Sequence, residues 1–271
     1  MSRLETVFAQ VAEEDRAAFI PYLMGGDPDL ATAGELVGVL VDSGADIIEI
    51  GVPFSDPIAD GPVNQHSASR ALLAGTTLSG ILDLVARHRS RSDVPIVLFS
   101  YFNPLFVRGA REFASQAADS GVDGVLCVDL PPAEATSDFA PALREQGIDT
   151  IFLLSPTSTR ERIKEVCGVA SGFVYYVSRT GVTGVQSELE RELGREVKRV
   201  RKRLELPLAV GFGISTTEQV SKVAKIADGV VVGSALVRII EEHHDNPDLA
   251  RILGSQAQRL AAATHRRRSR R

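Results

Sequence analysis

The segment EIGVPFSDPIADGP, residues 49–62, holds three carboxylates: Glu49, Asp56 and Asp60. Glu49 stands inside the apolar run DIIEI, and side chains along a strand alternate between two faces. If Ile48 and Ile50 face a layer of helices, Glu49 faces the other side. A carboxyl group withdrawn from water has its pKa raised toward neutrality and can both give and take a proton. The alternative is a structural acid paired with a buried arginine or amide, and position alone leaves both readings open. Asp60 lies in the following loop, where Pro53, Pro57 and Pro62 restrict φ and lower the entropy lost on ordering over a ligand. Asp60 can reach inward to accept a hydrogen bond from a substrate, or close an Asx-turn. For Asp56 the turn is the preferred reading, with contact to a partner as the other.

Glycine marks a second kind of chemistry. SRTGVTG (178–184), VGFGIST (210–216) and VVGSAL (231–236) each follow an apolar run. Glycines expose backbone N–H groups, and a helix N-terminus adds a favourable dipole, so such turns can hold a phosphate without lysine or arginine. The expected donors are Gly184, Gly213, Gly233 and Ser234. Each turn taken alone is equally compatible with being only a tight turn. Between the acids and the glycines, Tyr22, Phe99, Tyr101, Tyr175 and Phe212, with Ile151 and Leu153, stand on or beside the ends of apolar runs. Some of them can stack on a flat ring. Two acids, an apolar slot and a phosphate clamp point to a phosphorylated aromatic substrate handled by acid–base chemistry.

These groups need a scaffold that brings strand ends together. Eight apolar runs recur, at 18–24, 46–51, 95–102, 124–129, 149–156, 172–178, 207–213 and 229–235, each followed by a helical pattern. Their hydrophobicity is mostly continuous, as in parallel strands buried on both faces. Strand entries repeat: DSGADIIEI, DSGVDGVLCV and EQGIDTIFLL each end a helix at glycine and place Asp before the strand. Ser158 with Glu161, Ser187 with Glu190, and Ser215 with Glu218 fit capping boxes at helix starts. The order predicts a (β/α)8 TIM barrel, with a doubly wound open sheet as competitor. Leu4, Val7, Phe8 and Val11 share one face of an extra N-terminal helix over 4–14, which can cap the N-terminal mouth. The β2–β3 connection is extended by an apolar stretch at 66–75 and a helix at 77–89. Residues 1–262 read as one barrel domain and 263–271 as a basic, disordered tail. In barrels of this kind the active site lies at the C-terminal ends of the strands, with phosphate held after strands seven and eight.

Composition excludes other classes. Of the 271 residues 44% are apolar and 24% charged, as in a soluble globular protein, and no window reaches the roughly 18 apolar residues of a membrane span. The net charge of −5 argues against a general nucleic-acid surface. Cys127 and Cys167 lack metal-ligand spacing. No signal-peptide core opens the chain, which makes the cytoplasm the expected location. No GxGxxG follows the first run and no P-loop occurs.

EIGVPFSDPIADGPVNQ (49–65) resembles the ELGxPFSDPxADGPxxQ pattern of the tryptophan synthase alpha chain family. IPYLMGGDPD (20–29), DLPPAEA (129–135), LLSPTSTRERI (153–163), GFVYYVSRTGVTG (172–184) and VGFGIS (210–215) are similar to family segments as well. The likeness runs from about residue 3 to residue 260; it departs at Ile50, commonly leucine, and at Met24 and Gly25, where Thr-Ala or Thr-Leu is common. It implies a (β/α)8 carbon–carbon lyase that cleaves indole-3-glycerol phosphate to indole and glyceraldehyde 3-phosphate, a step of tryptophan biosynthesis. Glu49 matches the acid–base residue and Asp60 the carboxylate that meets the indole N–H. Tyr175 and Tyr101 match active-site tyrosines, Phe99 an apolar wall, and Thr183 a mobile-loop residue that meets Asp60. Gly184, Gly213, Gly233 and Ser234 match the phosphate set. No metal or organic cofactor is implied for this chain. The implied partner is a pyridoxal-phosphate beta chain in an alpha2beta2 heterotetramer, facing Pro53–Pro57, Asn103 and Pro131–Pro132. Two rivals are another phosphate-binding barrel, including a lysine-centred synthase, and a non-catalytic scaffold. The apolar runs contain no lysine, and a scaffold needs no acid on a buried strand.

Overall fold

The structure, a computed structural model, describes residues 1–178, 186–211 and 213–265, the side chains of 186–192 excepted. Eight strands appear: β1 (Ala18–Met24), β2 (Ile48–Gly51), β3 (Ile96–Ser100), β4 (Gly124–Cys127), β5 (Asp149–Leu154), β6 (Val174–Val177), β7 (Leu208–Gly211) and β8 (Gly229–Val232). Each pairs in parallel with the next, and β8 returns to β1 through Ile20 opposite Val231. The sheet is a closed (β/α)8 barrel, and closure rules out the open-sheet competitor. The helices are α1 (Arg3–Glu13), α2 (Leu30–Asp42), α3 (Pro62–Leu73), α4 (Leu78–Arg89), α5 (Phe102–Phe106), α6 (Ala110–Ser120) and α7 (Pro132–Ala135). They continue with α8 (Phe139–Glu145), α9 (Arg160–Val169), α10 (Gln186–Arg201), α11 (Thr217–Ala224), α12 (Ser234–His243) and α13 (Leu249–Ala262). The extra helix is α1, and α3 with α4 fills the extended β2–β3 connection.

Alternation sorts the strand residues as the pattern requires. Ile48, Ile50, Leu98, Val125, Phe152, Tyr176 and Val210 point outward and join the helices in one large apolar layer. Ile47, Val97, Leu126, Ile151, Phe173, Ala209 and Val231 point inward, where Leu4, Phe8 and Val11 of α1 meet them. α1 thus stoppers the N-terminal mouth. Its insertion requires room at the strand starts: a Cβ on Gly124 would lie 2.7 Å from Ile151 and 3.2 Å from Leu4. α1 begins at a capping box, Ser2 with Glu5, which sequence reading missed.

The repeated strand entries have a physical reason. Gly44, Gly121 and Gly147 adopt φ of +94°, +85° and +73°, the left-handed turn that lets a helix reverse into a strand. In the first two of these entries the Asp that follows fastens its neighbour, whereas Asp149 in the third leaves Oδ2 without a partner. Asp46 accepts the Phe19 N–H at 2.7 Å and is gripped by Arg16. Asp123 accepts the Ile96 N–H at 2.8 Å and pairs with Arg89. Asp228, outside the repeat noticed in sequence, does the same with the Leu208 N–H and Arg201.

Two helix starts differ from expectation. The cap of α9 is Thr159, and that of α11 is Thr216 boxed with Gln219, each one residue beyond the serine read from sequence. Ser158 instead accepts the Ser155 N–H in the preceding turn. The side chains of Ser187 and Glu190 lie outside the described residues. At the C-terminus the chain stays on the barrel past residue 262: Thr264 is buried, and its carbonyl accepts the Ala17 N–H at 3.2 Å. Residues 263–265, expected in the tail, therefore pack; 266–271 lie outside the described residues.

Candidate active site at the C-terminal mouth

Glu49 sits mid-way along β2, between Tyr22 of β1 and Val97 of β3 in register. It points inward, opposite to Ile48 and Ile50. It is 1% exposed, and its Oε1 has no hydrogen-bond partner. Desolvation pushes its carboxyl up to about 8, because nothing nearby repays the loss of water around a charge. The structural alternative, a carboxylate held by a buried arginine or amide, has no such donor at Oε1.

Asp60 is placed by the loop and by α3. Pro62 opens α3, and Gln65 in its first turn donates to the Asp60 carbonyl at 2.8 Å. The Asp60 side chain makes no Asx-turn. Oδ2 accepts from the Tyr101 hydroxyl at 2.9 Å, and Oδ1 accepts from Asn64 at 3.5 Å. Burial raises its pKa, and the bonds from Tyr101 and Asn64 partly counter that. Tyr101 also accepts the Ala59 N–H at 2.9 Å, so one phenol holds both the loop and the acid. Phe54 packs on the Tyr101 ring at 5.2 Å. Asp56 is exposed and accepts from the Ser55 hydroxyl.

Aromatic groups line the space between. Phe99 meets Tyr22 edge-on at 5.5 Å. The Tyr22 hydroxyl lies over Gly51 and the Tyr175 hydroxyl over Gly211, where any Cβ would collide with it. Each tyrosine therefore reaches across the end of the neighbouring strand because that strand ends in glycine. Burial and neighbouring carboxylates raise both phenols, Tyr22 feeling Asp60 and Glu49 and Tyr175 feeling Glu49. The acids and phenols thus share one water-poor space.

The expected anion end lies at the same mouth. Gly233 caps α12 and Ser234 is its first residue, with no side chain bonded to the free N–H groups. Gly233 lies beside Tyr22, where a Cβ would make ordinary contact with the ring at 3.4 Å. Gly213 holds φ +76° in the turn after β7. The structure thus brings Glu49, Asp60, Tyr22, Phe99, Tyr101, Tyr175, Gly213, Gly233 and Ser234 to one end of the barrel. Thr183, Gly184 and Phe212 lie outside the described residues. Asn64 and Gln65, which orient Asp60, were within the motif read from sequence but carried no assignment.

No group of side chains among the described residues could hold a metal ion. A cavity of about 530 Å³ opens at the opposite mouth beside α1, but its arginines are engaged, Arg16 by Asp46 and Arg201 by Asp228. A groove of about 310 Å³ runs between α5 and α8, lined by Phe102, Phe106, Leu130 and Phe139.

Comparison with known proteins decides the family. The model of the tryptophan synthase alpha chain family matches residues 8–265. The chain belongs to the tryptophan synthase alpha chain family. The alpha chain of Geobacter sulfurreducens is 52% identical over 241 residues, 89% of this chain and 91% of that one. That of Burkholderia pseudomallei is 48% identical over 263 residues, 97% of each. Among solved structures, the tryptophan synthase alpha subunit of Legionella pneumophila superposes with a TM-score of 0.91 at 35% identity, covering 97% of this chain and 98% of that one. The barrel, with its α1 stopper and long β2–β3 connection, is thus the architecture of this family's alpha chains.

Proposed function

We infer that this chain is the lyase of its family, cleaving indole-3-glycerol phosphate to indole and glyceraldehyde 3-phosphate. The observation that carries this reading is Glu49, a buried, unpartnered carboxyl raised to about 8 at the active end of a barrel. Breaking the bond between indole C3 and the glycerol chain requires a proton on C3, which turns the ring into an indolenine and a better leaving group. It also requires the neighbouring glycerol hydroxyl to lose its proton as the aldehyde forms. Both transfers sum to no net proton, and one carboxyl poised near neutrality can serve them in sequence. In this mechanism Asp60, steadied by Tyr101, accepts the indole N–H and balances the positive charge that develops on the ring. Tyr22, Phe99, Tyr101, Tyr175 and Phe212 flank the ring and glycerol chain, and Thr183 closes toward Asp60. Gly184, Gly213, Gly233 and Ser234 hold the phosphate through backbone N–H groups and the α12 dipole. Proton transfer by carboxyl groups calls on no cofactor or metal in this chain.

The partner in this proposal is a beta chain carrying pyridoxal phosphate, in an alpha2beta2 assembly, within the cytoplasm. No helix among the described residues is long and apolar enough to cross a membrane. Support comes from the rim: Ile58 is 88% exposed, Phe106 63% and Val107 77%, and Asn103 is exposed beside them. Pro53 and Pro132, expected to face the partner, are buried, so their part is to stiffen the rim. The test is indole release from indole-3-glycerol phosphate by the purified chain, with and without the beta chain. Slow release that the beta chain accelerates is expected; no indole under either condition would overturn the reading.

A further inference from the structure

Behind the site lies an ionic cluster that the mechanism does not use. Asp27, in the turn after β1, is fully buried. Arg70 on α3 grips it with two prongs, Nε donating to Oδ1 at 2.8 Å and Nη2 to Oδ2 at 2.8 Å. The Ser67 hydroxyl, one helical turn earlier, donates to the same Oδ2. The remaining prong, Nη1, reaches Glu241 Oε1 on α12 at 3.2 Å, and His66 Nδ1 lies 3.0 Å from that oxygen. Beneath the ions, Tyr22, Met24, Ala68, Ala71 and Val237 pack together, so β1, α3 and α12 also meet in an apolar contact.

Each element held by this cluster carries one end of the site. α3 starts two residues after Asp60, and its first turn binds the Asp60 loop through Gln65. α12 starts at Ser234, behind Gly233. β1 carries Tyr22 between them. A two-pronged arginine–carboxylate pair fixes direction as well as distance. Losing one partner of a buried pair leaves a charge without compensation, so the cluster favours one geometry over its neighbours.

We propose that Arg70 is a positioning residue: through Asp27 and Glu241 it sets the span between Asp60 and the N-terminus of α12, and with it the fit of a substrate that must touch both. The inference rests on the reading that indole-3-glycerol phosphate is bound across that span. Two linked fragments gain from a correct spacing, whereas each fragment alone is indifferent to it. A fault in the ruler therefore spares the fragments and penalises the whole.

The test compares the full-length wild type with Arg70→Met, Arg70→Lys and Glu241→Gln. Binding of indole and of glycerol 3-phosphate is measured separately by calorimetry, kcat/KM for indole-3-glycerol phosphate by indole release, and folding by thermal unfolding. In Arg70→Met kcat/KM is expected to fall about 10- to 100-fold, the cost of a misplacement near 1 Å, while each fragment binds within about 2-fold of wild type. Arg70→Lys, which keeps the charge, recovers part of the loss. Arg70→Met strands Asp27 and can fail to fold; Glu241→Gln leaves the Asp27 pair whole and keeps an acceptor on α12 but removes its charge, and is expected to lose about 5-fold with the same sparing of fragments. A folded variant with wild-type kcat/KM overturns the ruler alone. Fragment binding that falls in step with the whole substrate also overturns it, since the damage is then local. A wild type that binds glycerol 3-phosphate yet releases no indole overturns the reading of the site, and the ruler with it.

Discussion

The acids that fasten strands at the N-terminal mouth and Glu49 at the C-terminal mouth are treated in opposite ways. At the N-terminal mouth Asp46, Asp123 and Asp228 each accept a strand N–H and pair with Arg16, Arg89 and Arg201. At the C-terminal mouth Glu49 is buried more deeply than any of them and leaves an oxygen idle. Donors convert the first three acids into fasteners. The absence of a donor at Glu49 Oε1 leaves a group that can bond a reacting proton. Burial alone does not mark an acid as functional, and neither does an idle oxygen, since buried Asp149 at the start of β5 also has one; Glu49 adds to both its place among the tyrosines of the C-terminal mouth.

The comparison can be broken at either end. Glu49→Gln is expected to lower indole release about 10³-fold or more without loss of fold, since a general acid–base group is removed and its shape kept. Residual release near wild type would move the proton transfer to another residue. Asp123→Ala is expected to do the reverse. It breaks a buried pair and frees the Ile96 N–H, costing about 3 kcal/mol in urea unfolding while kcat of the folded protein stays within about 2-fold. A large fall in kcat at unchanged stability would erase the division between the mouths. Asp60→Asn keeps an acceptor but removes the charge, and about a 10²-fold loss of kcat is expected.

A pH experiment sharpens the contrast. The folded carboxyl of Glu49 is raised from 4.5 to about 8, so between those values the folded state holds a proton that the unfolded state has released. The contribution of Glu49 to stability is therefore full below pH 4.5 and is lost as pH rises through about 8. Wild type should lose on the order of 5 kcal/mol relative to Glu49→Gln across that window, read by denaturant midpoints. Parallel curves would mean that water or a donor solvates Glu49. The smallest effect is expected at Tyr101→Phe, which frees Asp60 Oδ2 and the Ala59 N–H and costs about 10-fold in kcat/KM.

Much of this was legible in the chain. Eight continuous apolar runs with glycine–Asp entries specify a closed parallel barrel because each run must be buried on both faces. Glu49 stood out because a charge in DIIEI has no cheap place to go. The Asp27–Arg70 pair was not legible: the partners lie on separate elements, and neither GGDPD nor SASRALL marks the other. Thr159 and Thr216 were missed as caps because TST and ISTT offer adjacent hydroxyls, and tertiary placement chooses among them. The reach of Tyr22 and Tyr175 over Gly51 and Gly211 depends on strand register, which periodicity does not give.

The α1 stopper has a consequence for traffic. With Leu4 and Phe8 seated in the lower mouth and side chains filling the interior above them, the described residues close the site from below and leave its doorway at the upper mouth. Substrate arrives and both products leave past the same rim of Ile58, Phe106 and Val107. Whatever docks on that rim becomes a turnstile, deciding which product goes first and where it goes.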